Sequence, residues 1–250
     1  MLPALTVLAC SQPFGLASLG VWAVIRGEGP PGPAVLWACL AAAFGTSGLV
    51  AFYRGMAAGA ISVVAPIAGT AAAVPVVRGL ATGDNPSALQ ELGFVLALGG
   101  VVATSWERTQ GSRRLAAGVG WAGLTLVAFG GYYVPMHAAS QEDFLWASLV
   151  FRMTSTSMVW LAVLALRRRI AGVRPHLVAL AAIGLFDTAG NVFFAAASQH
   201  GLVSVVSVLA SLYPIVTVLL ARVTLGERLQ RTQEAGVVVT LAGVALISAG

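Results

Sequence analysis

The sequence predicts an all-α integral membrane protein of about nine transmembrane helices, arranged as two inverted-topology repeats. Three observations predict it. Charge is too sparse for a water-soluble surface, the apolar residues fall into blocks each about one bilayer crossing long, and a stretch near the end repeats one near the beginning.

A soluble domain carries about a quarter charged residues. Here 9% are charged and 58% are hydrophobic, with a mean hydropathy of +0.88. A bilayer-spanning helix needs about 20 mainly apolar residues, and nine such segments can be placed: 2–25, 34–53, 57–80, 89–106, 117–138, 144–166, 177–198, 201–221 and 233–250, lettered a to i. The short stretches between them hold most of the charge, so little length remains for a soluble domain. Segment a has no basic residue ahead of its apolar run and continues to Arg26, which is not the pattern of a cleaved leader.

The net charge of +5 comes from 14 arginines against nine acids, with no lysine. Arginines scattered through short loops report topology; a nucleic-acid surface needs a clustered basic face. A phosphate loop of the Walker type requires a lysine, so that class is excluded. Cys10 and Cys39 lie inside apolar runs without metal-ligand spacing and read as small hydrophobes. No metal, cofactor or disulfide framework is expected. Eleven loop arginines, among them Arg54, Arg113, Arg167 and Arg231, fall on one side of the predicted membrane, against Arg26 and Arg78 on the other. The positive-inside rule puts the eleven in the cytoplasm and the C-terminus outside.

The repeat frames the rest. At an offset of 142, Phe44, Thr46, Gly48, Val50 and Phe52 recur as Phe186, Thr188, Gly190, Val192 and Phe194. One inserted residue later, Gln90, Glu91, Gly93, Val95, Leu98, Gly100, Val101 and Ser105 recur as Gln233, Glu234, Gly236, Val238, Leu241, Gly243, Val244 and Ser248, eight matches in sixteen positions. Segments b, c and d thus match g, h and i, and a matches f by position. Partners an odd number of crossings apart run antiparallel, which makes the repeat inverted. Secondary transporters place a substrate site near the bilayer midplane between such halves. The halves are residues 1–106 and 117–250. Segment e has no counterpart, so the pattern is that of a ten-helix transporter fold lacking its first helix.

The stretch LASLYPIVTVLLARVTLGERLQRTQEAGVVVTLAGVALI resembles the last two helices of the EamA-type branch of the drug/metabolite transporter superfamily. The residues that carry the resemblance are Pro214, Leu225, Gly226, Glu227, Gln233, Gly236 and Gly243. In the first half Gly83, Asp84, Gln90, Gly93 and Gly100 are similar, with Asp in place of Glu. The resemblance implies ten helices in two inverted five-helix halves with both ends cytoplasmic. This chain departs from it in the missing first helix and in the orientation its arginines predict.

An ionised side chain at mid-bilayer costs about 2.5–3.5 kcal/mol on insertion scales, so one kept there has work to do or a partner. Arg152 lies within segment f, and Asp187 lies at the middle of segment g with Asn191 one turn on, on the same face. Both charges are expected to face the protein interior. Arg152 could neutralise an anionic substrate group while Asp187 binds a proton or a cationic group. Alternatively the two pair and close the bundle. The repeat equates Arg152, Asp187 and Asn191 with Cys10, Gly45 and Leu49, so polar chemistry sits in the second half only, which fits a specialised site. Tyr132, Tyr133 and His137 flank Pro135 and could line a cavity or anchor at the interface; Gln12, Ser11 and Tyr213 are weaker candidates. Asp84 and Glu227 lie at turns where each could cap the next helix. Gly93, Ala97 and Gly100, like Gly236, Thr240 and Gly243, form small faces suited to close helix packing, and Gly55 with Gly59 could serve packing or a homodimer.

The expected function is secondary transport or export of small metabolites or drug-like molecules by alternating access, coupled to protons through Asp187. The expected partners are a small-molecule substrate and the lipid bilayer, the location is the cell membrane with multiple passes, and no catalytic residue or nucleic-acid surface is assigned. Two rival readings exist: a transport-incompetent or partner-dependent subunit, and a membrane-embedded lipid-phosphate enzyme, which would need clustered acids where the nine here are dispersed.

Overall fold

The computed structural model describes residues 3–27, 29, 32–57, 64, 67–105, 112–212 and 230–249. Gly59, Tyr213, Pro214, Leu225, Gly226 and Glu227 lie outside the described residues. Among those described there is no strand, and nine α-helices follow one another: α1 (Ala4–Arg26), α2 (Gly32–Ala57), α3 (Ala73–Thr82), α4 (Ala88–Ser105), α5 (Ser112–Ser140), α6 (Phe144–Ala165), α7 (Leu177–Ser198), α8 (Val203–Ala210) and α9 (Arg231–Ala249), with a 3-10 turn at Arg174–His176. Four helical stretches are long and apolar enough to cross a bilayer: Ala4–Arg26, Ala34–Met56, Phe144–Ala165 and Arg174–Ser198.

Segment c, expected as one helix over 57–80, is interrupted at Thr70–Ala72 by a turn. The tightening is visible in bonds that reach back three residues instead of four: Ala71 to Ala68, Ala73 to Thr70 and Val74 to Ala71. Pro75 accounts for it, because it has no N–H for the Ala71 carbonyl that a regular helix would have it meet.

The chain divides into two compact units, residues 1–46 with 134–200 and residues 47–133 with 201–250. Each draws on both sequence halves, and α2 and α5 each contribute to both.

In the first unit α1, α6 and α7 pack on one another. Gly15 and Gly184 bring α1 and α7 to backbone contact: a Cβ on Gly184 would strike the Ser11 carbonyl, and one on Gly15 would strike Thr188 and the Gly184 carbonyl. α1 and α6 run antiparallel, since Arg26 at the end of α1 pairs with Asp143 at the start of α6 while Gln12 meets Ser155 midway along both. Asp143 does two jobs. One oxygen accepts the N–H groups of Leu145 and Trp146, capping α6, and the other accepts Arg26. Beside them Trp22 and Trp146 meet edge to face. Removing a cap of this kind costs about 1–2 kcal/mol, whereas a partly exposed ion pair is worth about 1 kcal/mol or less. Asp143→Ala should therefore lower the thermal midpoint clearly more than Asp143→Asn, which keeps a capping oxygen; equal losses would make the ion pair the larger contribution. At the other ends of α5 and α7, glutamines exchange caps: Gln141 donates to the Ser198 carbonyl at 2.8 Å and Gln199 to the Ser140 carbonyl at 2.9 Å.

In the second unit the small faces expected to pack do meet, and they meet each other. A Cβ on Gly93 would lie 2.8 Å from the Gly243 carbonyl, and one on Gly100 would lie 2.7 Å from that of Gly236. The contacts run in opposite order along α4 and α9, so these two helices, equated by the repeat, are antiparallel. Each helix start also shows why a glutamine recurs there. Gln90 and Gln233 both turn back to accept a backbone N–H three residues earlier, from Ser87 and Gln230, and Ser87 returns the favour as a capping box. With that start already capped, Asp84 does not cap α4 as expected. It reaches α8 instead, accepting the Ser204 hydroxyl at 2.7 Å. Gly83, in the left-handed region at φ +108°, ends α3 and turns the chain so that Asp84 can do this. Gly55 is packed inside this unit, where a Cβ would crowd Val64 and Trp121.

Candidate functional site

Helix α6 buries the face marked by Ser148, Arg152, Ser155, Thr156, Val159 and Val163, spaced three and four apart as a helix dictates. Arg152 is among its most buried members, 1% exposed. Its Nη1 donates to Asp187 Oδ2 at 2.7 Å. Asp187 is the eleventh of the 22 residues of α7, a helix about 33 Å long at 1.5 Å per residue, so the pair lies near the middle of a crossing. The partners are unequal: the Asp187 side chain is 50% exposed. On α7 the buried residues include Leu180, Gly184, Thr188 and Ala195, while Phe186 and Phe193 are 79% and 73% exposed. Asp187 stands at the edge between these faces. Of the two charges expected to face inward, then, Arg152 does so fully and Asp187 by half.

Asn191, one turn on, donates to the Asp187 backbone carbonyl at 2.8 Å. That bond is the local one a helical Asn makes to its own backbone. His137 lies near the end of α5 beside Gln141, which donates to its carbonyl. Arg152 is eight residues into α6 from the following turn, about 12 Å deep. Tyr132 and Tyr133 stack edge to face at 5.3 Å and belong to the second unit, whereas His137, Arg152, Asp187 and Asn191 belong to the first. Of the six residues picked from the sequence, the structure joins Arg152, Asp187 and Asn191.

It also adds residues that sequence reasoning ranked low or passed over. Ser155 accepts two bonds, from Gln12 Nε2 and from Thr46 Oγ1, both at 3.0 Å, tying α1, α2 and α6 together one turn from Arg152. Cys39 Sγ lies 3.3 Å from Thr154 Oγ1. The available signal was the coincidence of Gln12, Ser155 and Thr156 with the buried faces of their helices. Several polar atoms here are buried without a partner among the described residues: Arg152 Nε and Nη2, Gln12 Oε1 and Thr156 Oγ1. A stranded buried donor costs about 1–3 kcal/mol, more when charged, so the cluster is polar beyond what folding requires.

The EamA-like transporter family matches residues 116–249. Nineteen chains from solved structures match as well; one, described only as the crystal structure of a protein, superposes with a TM-score of 0.82 at 16% identity over 99% of this chain and 89% of its own. That similarity shows the fold. No curated protein matches. A multi-pass helical chain with a charge pair at mid-crossing and more than half its length matched by one family has a plain assignment: it belongs to the EamA-like transporter family of the drug/metabolite transporter superfamily, and is a membrane transporter.

Proposed function

We propose that this protein is a secondary transporter, not an enzyme, that carries a small metabolite or drug-like molecule across the cell membrane by alternating access of two inverted repeats. The Arg152–Asp187 pair is the centre of its substrate path, and Asp187 exchanges the coupling proton. One observation carries the reading: a carboxylate halfway along a membrane helix keeps half its surface uncovered. Facing hydrocarbon, that charge would be costly; facing a water-filled path, it can be hydrated. The antiparallel pairing of helices equated by the repeat, α1 with α6 and α4 with α9, supports an inverted arrangement of the halves.

Proteoliposomes holding the purified chain should support counterflow of at least one class from a panel of amino acids, nucleobases, sugars, carboxylates and cationic drugs. An inward proton gradient should accelerate net uptake by the wild type. Asp187→Asn, which keeps an oxygen for Arg152, should retain exchange at equal pH and lose that acceleration. Absence of flux for every class through a folded, inserted protein would count against transport itself, and unchanged proton stimulation in Asp187→Asn would remove Asp187 as the coupling group.

A further inference from the structure

The two guanidinium nitrogens without partners are not an arbitrary pair. In arginine, Nε–H and one Nη2–H point the same way and form the side-on fork that receives both oxygens of a carboxylate. Asp187 takes Nη1 and leaves that fork open, on a residue 1% exposed. Two more unpartnered polar atoms lie on residues that are also more than nine-tenths buried, one on α6 and one on α1, whose side chain bonds α6 at Ser155. Thr156 Oγ1 is four residues on from Arg152, on the same face. Gln12 donates its Nε2 to Ser155, which turns its Oε1 away from that bond. The set is two charged donors side by side, one hydroxyl and one amide acceptor.

We infer that the fork of Arg152 receives the carboxylate of a transported monocarboxylate, with Gln12 Oε1 accepting a hydrogen-bond donor elsewhere on the same molecule. This rests on the transporter reading above and names the substrate class for it. Charge favours a monoanion over a dianion. Arg152 and Asp187 already sum to zero, so a carboxylate leaves one net negative charge and a phosphate dianion leaves two, beside Asp187. Shape selects it too, because the fork and a carboxylate are both planar and present two atoms at matching spacing. A neutral amide offers the fork one oxygen and no charge. The fork is covered in the described conformation, so binding belongs to a conformation in which the face of α6 is open, as alternating access provides.

The test is a thermal-shift titration of the purified protein in detergent with acetate, lactate and benzoate, each beside its neutral amide, and with inorganic phosphate. At about 100 times its dissociation constant a bound carboxylate should raise the midpoint by about 5 °C, while its amide and phosphate leave it unmoved. Arg152→Lys keeps the charge and loses the fork, and should weaken carboxylate binding at least about tenfold. Should that variant fail to fold, the comparison of carboxylate with amide in the wild type decides alone. Amides that bind as well as the acids, a larger response to phosphate, undiminished binding by folded Arg152→Lys, or no response to any carboxylate would each overturn the inference. Counterflow keeps the two readings apart. Flux of neutral or cationic compounds without a carboxylate response removes the substrate class and leaves the transporter standing, whereas absence of all flux counts against both.

Discussion

Asp187→Leu should destabilise the protein by about 3–5 kcal/mol, the cost of leaving a buried charge without its partner, and Arg152→Met should cost distinctly less. The asymmetry follows from exposure. Without Asp187, a guanidinium that is 1% exposed loses the one hydrogen bond given to it and has no water to replace it. Without Arg152, the remaining carboxylate is 50% exposed and can be hydrated along its open edge. Replacing both should recover much of the loss, since an apolar pair of similar volume removes both charges at once. Reversible unfolding in mixed micelles measures all three. Equal losses in the single variants would mean that Asp187 is as sealed as Arg152, which undoes the case for a hydrated path. If the double variant regains stability but carries no substrate, the pair has a role beyond closing the bundle. A stable and active double variant would end that role.

Gly184→Ala should cost about 3 kcal/mol, near the upper end for overpacking, while Gly190→Ala in the same helix should be neutral or stabilising by up to about 1 kcal/mol. At Gly184 the added methyl meets the Ser11 carbonyl, and backbone cannot rotate aside, so α1 and α7 must separate. At Gly190 nothing lies within 4 Å. The first substitution also reaches the site. Gly184 precedes Asp187 by three residues, so moving α7 off α1 shifts the carboxylate against Arg152 on α6. Reduced transport should accompany reduced stability at Gly184 and not at Gly190. Full transport by a folded Gly184→Ala protein would show that the pair tolerates that shift.

The helices were largely legible because hydropathy alone sets their limits in a chain like this. Segment g was placed at 177–198, and α7 spans Leu177–Ser198. The interruption of segment c was not, since a proline can be absorbed by a helix, as Pro13 and Pro135 are, or can break it, as at Pro75; neighbours decide. Capping was not legible: the acid at the turn, Asp84, is the residue the sequence offers, but Ser87 and Gln90 cap α4, and Asp84 reaches a helix that begins 119 residues later, a distance no spacing rule spans. Within the site, Arg152 and Asp187 stood out by their cost in lipid, and their pairing was one of two readings the sequence allowed. The open fork could not be read at all. It depends on which guanidinium nitrogen Asp187 takes, and that is a matter of rotamers.

The interleaving of the two units has a consequence for how the protein is made. All of the first unit lies within residues 1–200, whereas the second needs the final fifty. A ribosome that has released His200 into the membrane has delivered Arg152, Asp187, Gln12 and Ser155 together, while α4 still waits for α9. The Arg152–Asp187 pair can thus be assembled during synthesis, and the glycine seam of α4 and α9 closes after it.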